Sequence, residues 1–216
     1  NLEDITIEGV ADVIERLEQK PKAVFLFTVC LHHFLGSDLE RIYDELGKRF
    51  PEICFVRCFM DPIMRKSGLT PDQKLRLSMY DPLKKGTVTE EGQRRISILG
   101  SDFALDETSD LKRLLRCNDY QIKESPVCES WEDYLSLSDC RMMLNCYPSG
   151  KAGTEWAAER LGRPFMYLPS CFDYDEIIGQ LEALSESMEL LGVLDYEGEK
   201  ESCEAALHEA LLEVGD

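Results

Sequence analysis

A chain of 216 residues with 44% hydrophobic content is long enough for one large core or two small α/β domains. Its net charge of −18 argues against nucleic acid as a partner, because a phosphate-tracking surface needs clustered Lys and Arg. The longest apolar run, AVFLFTVCL, covers 9 residues against the roughly 18 that span a bilayer, and no basic segment leads into an apolar one at the N-terminus. Neither a membrane nor secretion is expected. Nine irregularly spaced cysteines in a chain with its own apolar core fit reduced thiols, and the cytoplasm is the expected compartment. The acidic residues read as solvated helix faces.

Along the chain, Ile7, Val10, Val13, Ile14 and Leu17 recur at helical spacing, Pro21 breaks the pattern, and Ala23 to Val29 form an apolar run of strand length. Leu39, Ile42, Tyr43 and Leu46 make a second helical stripe with Gly47 as its stop, and EICFVRC at 52–58 reads as a second strand. From Met60 to Lys85 the signal weakens, and only Pro71 to Tyr80 looks helical, with Pro at its start. A second series then alternates: RISIL as strand, Thr108 to Arg116 as helix, YQIKESPV as strand, and a short helix at Trp131 to Leu137. RMMLNC as strand, Thr154 to Leu161 as helix and PFMYLP as strand continue it, and two long helices close it. Strands apolar on both faces and separated by helices imply parallel sheets covered on both sides. The expected architecture is α/β, with two Rossmann-like αβα units over residues 1–85 and 86–216.

The stretch FTVCLHHFLGSDLERI puts Cys30 at the loop beyond the C-terminal end of a parallel strand, where open α/β sheets bind ligands. Taken alone, a cysteine ending a buried strand is most often a small core residue, and His32 and His33 can reach solvent or cap carbonyls. Cys54 and Cys58 lie four apart on one strand, hence on one face, and read as core because two thiols leave a metal site short of ligands. PSGKAGT follows a strand and precedes a helix, so its amides suit an anion, but it lacks the Walker A spacing. Neither a Gly-x-Gly-x-x-Gly fingerprint nor a Gly-x-Ser-x-Gly elbow occurs.

The wider pattern resembles component 1 of nitrogenase and its relatives, the dark-operative protochlorophyllide reductases and cofactor-assembly scaffold proteins. The resemblance runs through DITIEGVADVIERLEQKPKAVFLFT, CLHHFLGSDLERIYDEL, ISILGSDFALDETSDLKRLLRCNDYQI and MMLNCYPSGKAGTEWAAERLGRPFMYLPSCFDYDEIIGQL, in family order over nearly the whole chain. After VRC the family has a Gly-Phe turn, where this chain has FMDPIM. Family members are about twice this long and have three α/β domains, so the chain looks like the end of the first domain plus the second.

The resemblance implies that Cys30 is a cluster cysteine, whose thiolate holds an iron–sulfur cluster at a subunit interface. It implies that Cys146 stands where catalytic subunits ligate the large metal cofactor. Gly36 and Asp38 match the turn and helix start that follow the cluster cysteine, with Asp38 as cap, while His32 and His33 fall at variable positions. The implied function is an oxidoreductase subunit that takes electrons from an ATP-dependent iron–sulfur reductase, beside a homologous partner subunit, and reduces a substrate the sequence does not name. The alternative is a cofactor-assembly scaffold or binding protein without clusters. With one cysteine per implied site, this chain by itself is expected to be cluster-free.

Overall fold

The structure is a computed structural model that describes residues 1–60 and 68–214. Most of the loop that replaces the family's Gly-Phe turn therefore lies outside the described residues.

The first half is a helix–strand–helix–strand unit. Helix α1 (Leu2–Arg16) is capped by the Asn1 side chain, which accepts from the Asp4 amide, and Glu3 and Asp4 complement the dipole in its first turn. Strand β1 (Ala23–Val29) runs straight into a five-residue helix, α2 (Cys30–Phe34), and helix α3 (Leu39–Arg49) leads to strand β2 (Cys54–Met60). The two strands pair in parallel from Ala23 beside Cys54 to Val29 beside Met60. Side-chain alternation divides this sheet between two clusters. Val24, Leu26 and Phe55 pack with Ile7, Ala11 and Ile14 of α1 and Ile42 and Leu46 of α3. Phe25, Cys54, Val56 and Cys58 pack on the opposite face with Leu75 and Met79 of helix α4 (Pro71–Tyr80). Cys54 and Cys58 are thus core thiols, and burial pushes the Cys58 thiol up to about 11.

Several boundaries differ from the sequence reading; YQIKESPV, for one, is strand only over Gln121–Glu124. Gly47 does not stop α3, which runs on to Arg49 and is closed by the Phe50 amide donating to the Leu46 carbonyl. Pro51 and Glu52 are consequently used in the turn, and the strand begins at Cys54, whose amide donates to Lys22. Helix α4 starts with Pro71 and a reciprocal capping box between Thr70 and Gln73.

The second half holds four parallel strands in the order β4-β3-β5-β6: β3 (Arg95–Ile98), β4 (Gln121–Glu124), β5 (Met142–Asn145) and β6 (Phe165–Tyr167). Helices α5 (Asp110–Cys117), α6 (Trp131–Leu135), α7 (Lys151–Leu161) and α8 (Tyr174–Met188) connect or follow them. Ile96, Ile98, Met142 and Leu144 point to one face, against Leu114 and Leu115 of α5 and Leu181 and Leu184 of α8. Leu99 and Met143 point to the other, against Ala157, Ala158 and Leu161 of α7. Full burial of each such leucine contributes about 1.5–3 kcal/mol. This sheet is covered on both faces, as expected of parallel strands.

Helix α4 packs on both β2 and α7, so it joins the two sheets. Its Arg76 is buried, makes a bidentate pair with Asp102 at 2.8 and 2.7 Å, and reaches Asp72 at 3.5 Å. The contact with α7 needs Gly153, where a Cβ would meet the Arg76 Cβ at 2.6 Å.

The two long closing helices are present, and the last of them stands clear of the core. Helix α9 (Tyr196–Val214) is anchored at its start, where Glu199 pairs with Arg113 and Lys200 with Asp175 at 2.6 Å, but from Glu201 to Glu213 every residue is exposed. Its apolar residues Leu207, Leu211 and Leu212 meet none of the described core.

Candidate functional site

The two candidate cysteines stand at the same topological place in different sheets, each just past the C-terminal end of a strand. Open parallel sheets expose loops and helix N-termini there, so ligand sites collect at these ends.

At the first, Cys30 opens α2 directly after β1 and is half-buried. Gly36 has φ +63°, a left-handed conformation with open space around it, and it lets the chain reverse before α3. Asp38 caps α3, its carboxylate accepting from the Arg41 amide at 3.1 Å. The Asp38 amide donates to Glu3, which also pairs with the Arg41 guanidinium at 3.1 Å, so the start of α3 is tied to α1. His32 folds back on its own strand end, with Nδ1 3.4 Å from the Val29 nitrogen and Nε2 3.5 Å from Thr6 Oγ1. Around Cys30 the surface is apolar and open: Phe27 is 51% and Val29 47% exposed, and Leu31, Phe34 and Leu35 of α2 and its exit are exposed too. The covering of both sheet faces expected from the sequence therefore fails at the end of β1, where Phe27 lies beyond the reach of α4.

At the second, Cys146 follows β5, is 9% exposed, and belongs to the main cluster with Leu111, Leu168 and Leu181. It lies at a cleft of about 290 Å³ between the loop after β3 and the start of α8, whose apolar walls include Leu105, Leu111, Leu168, Ile177 and Leu181. Burial, with the Glu124 carboxylate adding to it, pushes the Cys146 thiol up to about 12. The roof of the cleft is held by ions that the sequence reading does not single out. Lys112 of α5, 1% exposed, pairs with Glu124, 5% exposed, and its Nζ donates to the Leu105 carbonyl and to Glu107, both at 2.8 Å. Glu124 accepts in turn from the Leu105 amide at 2.7 Å. Each buried charge is thus paired and the loop is pinned across the strand ends. A signal was available: Lys112 interrupts the apolar stripe of Leu111, Leu114 and Leu115, and a lysine on a buried face needs a carboxylate.

The PSGKAGT stretch is used for packing. Pro148–Gly150 form one turn of 3₁₀ helix, and Gly150 lies against the Gly100 backbone, where a side chain on either glycine would collide with the other residue. Gly100 has φ +90°.

The donors present do not by themselves hold a metal cluster. Among the described residues no three His, Cys, Asp or Glu side chains converge on a common point, and an iron–sulfur cluster takes about four thiolates. Cys30 is half-exposed, so its thiol is accessible from outside the chain. Cys146 fits less well, being a protonated thiol beside a carboxylate in an apolar wall. No helix among the described residues is long and apolar enough to cross a membrane.

No family model matches the chain, and no curated protein matches it in sequence. Among solved structures it is similar to two described as nitrogenase Cp1, at pH 6.5 and at pH 5, with TM-scores of 0.59 and 0.60. Both are 13% identical to it over 87% of its length. The chain spans 36% and 37% of those two chains. The protein therefore has a nitrogenase-like α/β fold.

Proposed function

We propose that the chain is part of a nitrogenase component 1-like oxidoreductase subunit in which Cys30 supplies one thiolate to an iron–sulfur cluster completed by other polypeptide. The reading is carried by the likeness of fold over 87% of the chain, taken with Cys30 at a parallel strand end amid exposed apolar side chains. Residues 1–85 and 86–216 are then two α/β units of a larger subunit. Its homologous partner subunit covers the surface around Cys30, and an ATP-dependent iron–sulfur reductase supplies electrons for reduction of a substrate at the second sheet end.

The cluster supplies one-electron chemistry, while the residues of this chain position its ligand. The β1–α2 junction presents the thiol, Gly36 permits the reversal behind it, and Asp38 with Glu3 and Arg41 fixes the helix that follows. One observation favours a second reading, a cofactor-assembly scaffold or binding protein without clusters: neither cysteine has a converging set of donors among the described residues.

Iron and sulfide analysis after anaerobic purification separates the two. The 216-residue chain should hold far less than stoichiometric iron. The longer protein should hold a cluster whose content falls at least severalfold in Cys30→Ala and stays unchanged in His32→Ala. Iron that is absent from the longer protein, or indifferent to Cys30, would leave the scaffold reading as the account of this chain.

A further inference from the structure

The cleft at Cys146 has the dimensions and lining of a small-molecule site. Its volume of about 290 Å³ lies near the lower end for ligand pockets, roughly 300–1,000 Å³. It is walled by aliphatic side chains, with a few polar atoms at one end, as such pockets are. The polar end belongs to the start of α5. Ser109, at the N-cap position, makes no capping bond, and its Oγ is buried without any hydrogen-bond partner. That hydroxyl is enclosed by protein atoms and does not face the cleft. Across the cleft, the Gln180 amide donates to the Pro169 carbonyl at 3.1 Å and so fixes the wall between β6 and α8.

Charge decides what enters. None of the described residues lining the cleft is Lys, Arg or His, while Asp110 stands at its edge. The one buried cation nearby, Lys112, is already engaged with Glu124 and Glu107. Metal–sulfur clusters and phosphorylated cofactors carry net negative charge, and the described lining offers no free cation to offset it, Asp110 itself being paired with Arg113 at 2.9 Å. A neutral molecule meets no such penalty and gains about 25 cal/mol for each Å² of apolar surface it buries.

We propose that the cleft lined by Leu105, Leu111, Cys146, Leu168, Ile177 and Leu181 binds an uncharged, largely apolar organic molecule, and that Cys146 is a wall residue there, not a metal ligand. The inference goes beyond the redox reading and stands or falls without it, because it concerns the chain's own second sheet end and not Cys30.

The test compares two fluorescent probes that differ in one group: neutral N-phenyl-1-naphthylamine and its sulfonated analogue, 1-anilinonaphthalene-8-sulfonate. Titrated into the purified chain, the neutral probe should show one saturable site with at least tenfold higher affinity than the anionic one. Ile177→Trp, which fills the cleft, should weaken the neutral probe at least tenfold with the far-ultraviolet circular dichroism unchanged. Should that variant unfold, Cys171→Trp at the half-buried rim serves instead. Three results would overturn the proposal: anionic binding equal to or tighter than neutral, probe binding indifferent to the folded tryptophan variant, or reconstitution with iron and sulfide giving a cluster lost in Cys146→Ala. The redox reading would fail separately, through a longer protein whose iron ignores Cys30.

Discussion

Two strand ends in one chain present a cysteine in opposite settings. At the end of β1 the thiol is half-buried, the flanking Phe27 and Val29 face outward, and the chain turns through a five-residue helix into open surface. At the end of β5 the thiol is sealed into the largest cluster, under a loop held by a paired lysine and glutamate. The same topological address thus yields an exposed apolar surface in one sheet and an open cleft beside a buried thiol in the other. Sheet size is the physical reason. Two paired strands leave Phe27 and Val29 exposed at the end of β1, whereas the four-strand sheet is buried between α5, α7 and α8.

The contrast breaks most visibly through truncation of its apolar side chains. Leu144→Ala, at a fully buried position of β5, should cost about 3 kcal/mol, while Phe27→Ala in the open β1 should cost well under about 1 kcal/mol. Urea midpoints at constant slope measure both, and a Phe27 cost equal to that of Leu144 would mean that the first strand end is covered in solution.

The glycines sharpen it next. Gly100 and Gly36 both have positive φ, but a Cβ on Gly100 would meet the Gly150 Cα at 2.7 Å and one on Gly36 would meet open space. Gly100→Ala should therefore cost about 2–3 kcal/mol, from overpacking added to backbone strain, against about 1 kcal/mol for Gly36→Ala. Equal losses would show that strain alone matters at both turns.

A smaller effect is expected from the Cys146 proton. Its folded thiol titrates only near pH 12, so its contribution to stability is complete at neutral pH. That contribution is lost as pH rises above about 8.5, where unfolded chains release the proton and folded ones keep it. In that window Cys146→Ala should flatten the fall of stability by up to about 1.4 kcal/mol per pH unit, read from urea unfolding between pH 8 and 10.5. An unchanged slope would mean that the thiol is not buried as described.

Much of this fold was legible in the chain because each strand is a short apolar run bounded by helical stripes, and such runs have few alternatives in an α/β chain. The errors have local causes. Gly47 did not end α3, since one glycine costs only about 1 kcal/mol and Phe50 is buried by continuing. Helix α7 begins at Lys151, ahead of the expected Thr154, because Gly153 is chosen for its close approach to α4, which no periodicity reveals. At the candidate sites, Cys30, Cys146, Gly36 and Asp38 were singled out only through the family resemblance. The cleft was not legible, because Leu105 and Leu111 are far in sequence from Leu168 and Ile177 and become their neighbours only in the folded chain, where Lys112 and Glu124 pin the loop.

The account rests on Cys30 as a thiolate ligand, and electron paramagnetic resonance of the longer protein, reconstituted anaerobically with iron and sulfide, tests that most directly. With Cys30 present, the reduced protein should give an iron–sulfur signal, and Cys30→Ala should abolish it or convert it to a different cluster type while the fold survives. The same signal with and without Cys30 would contradict the account.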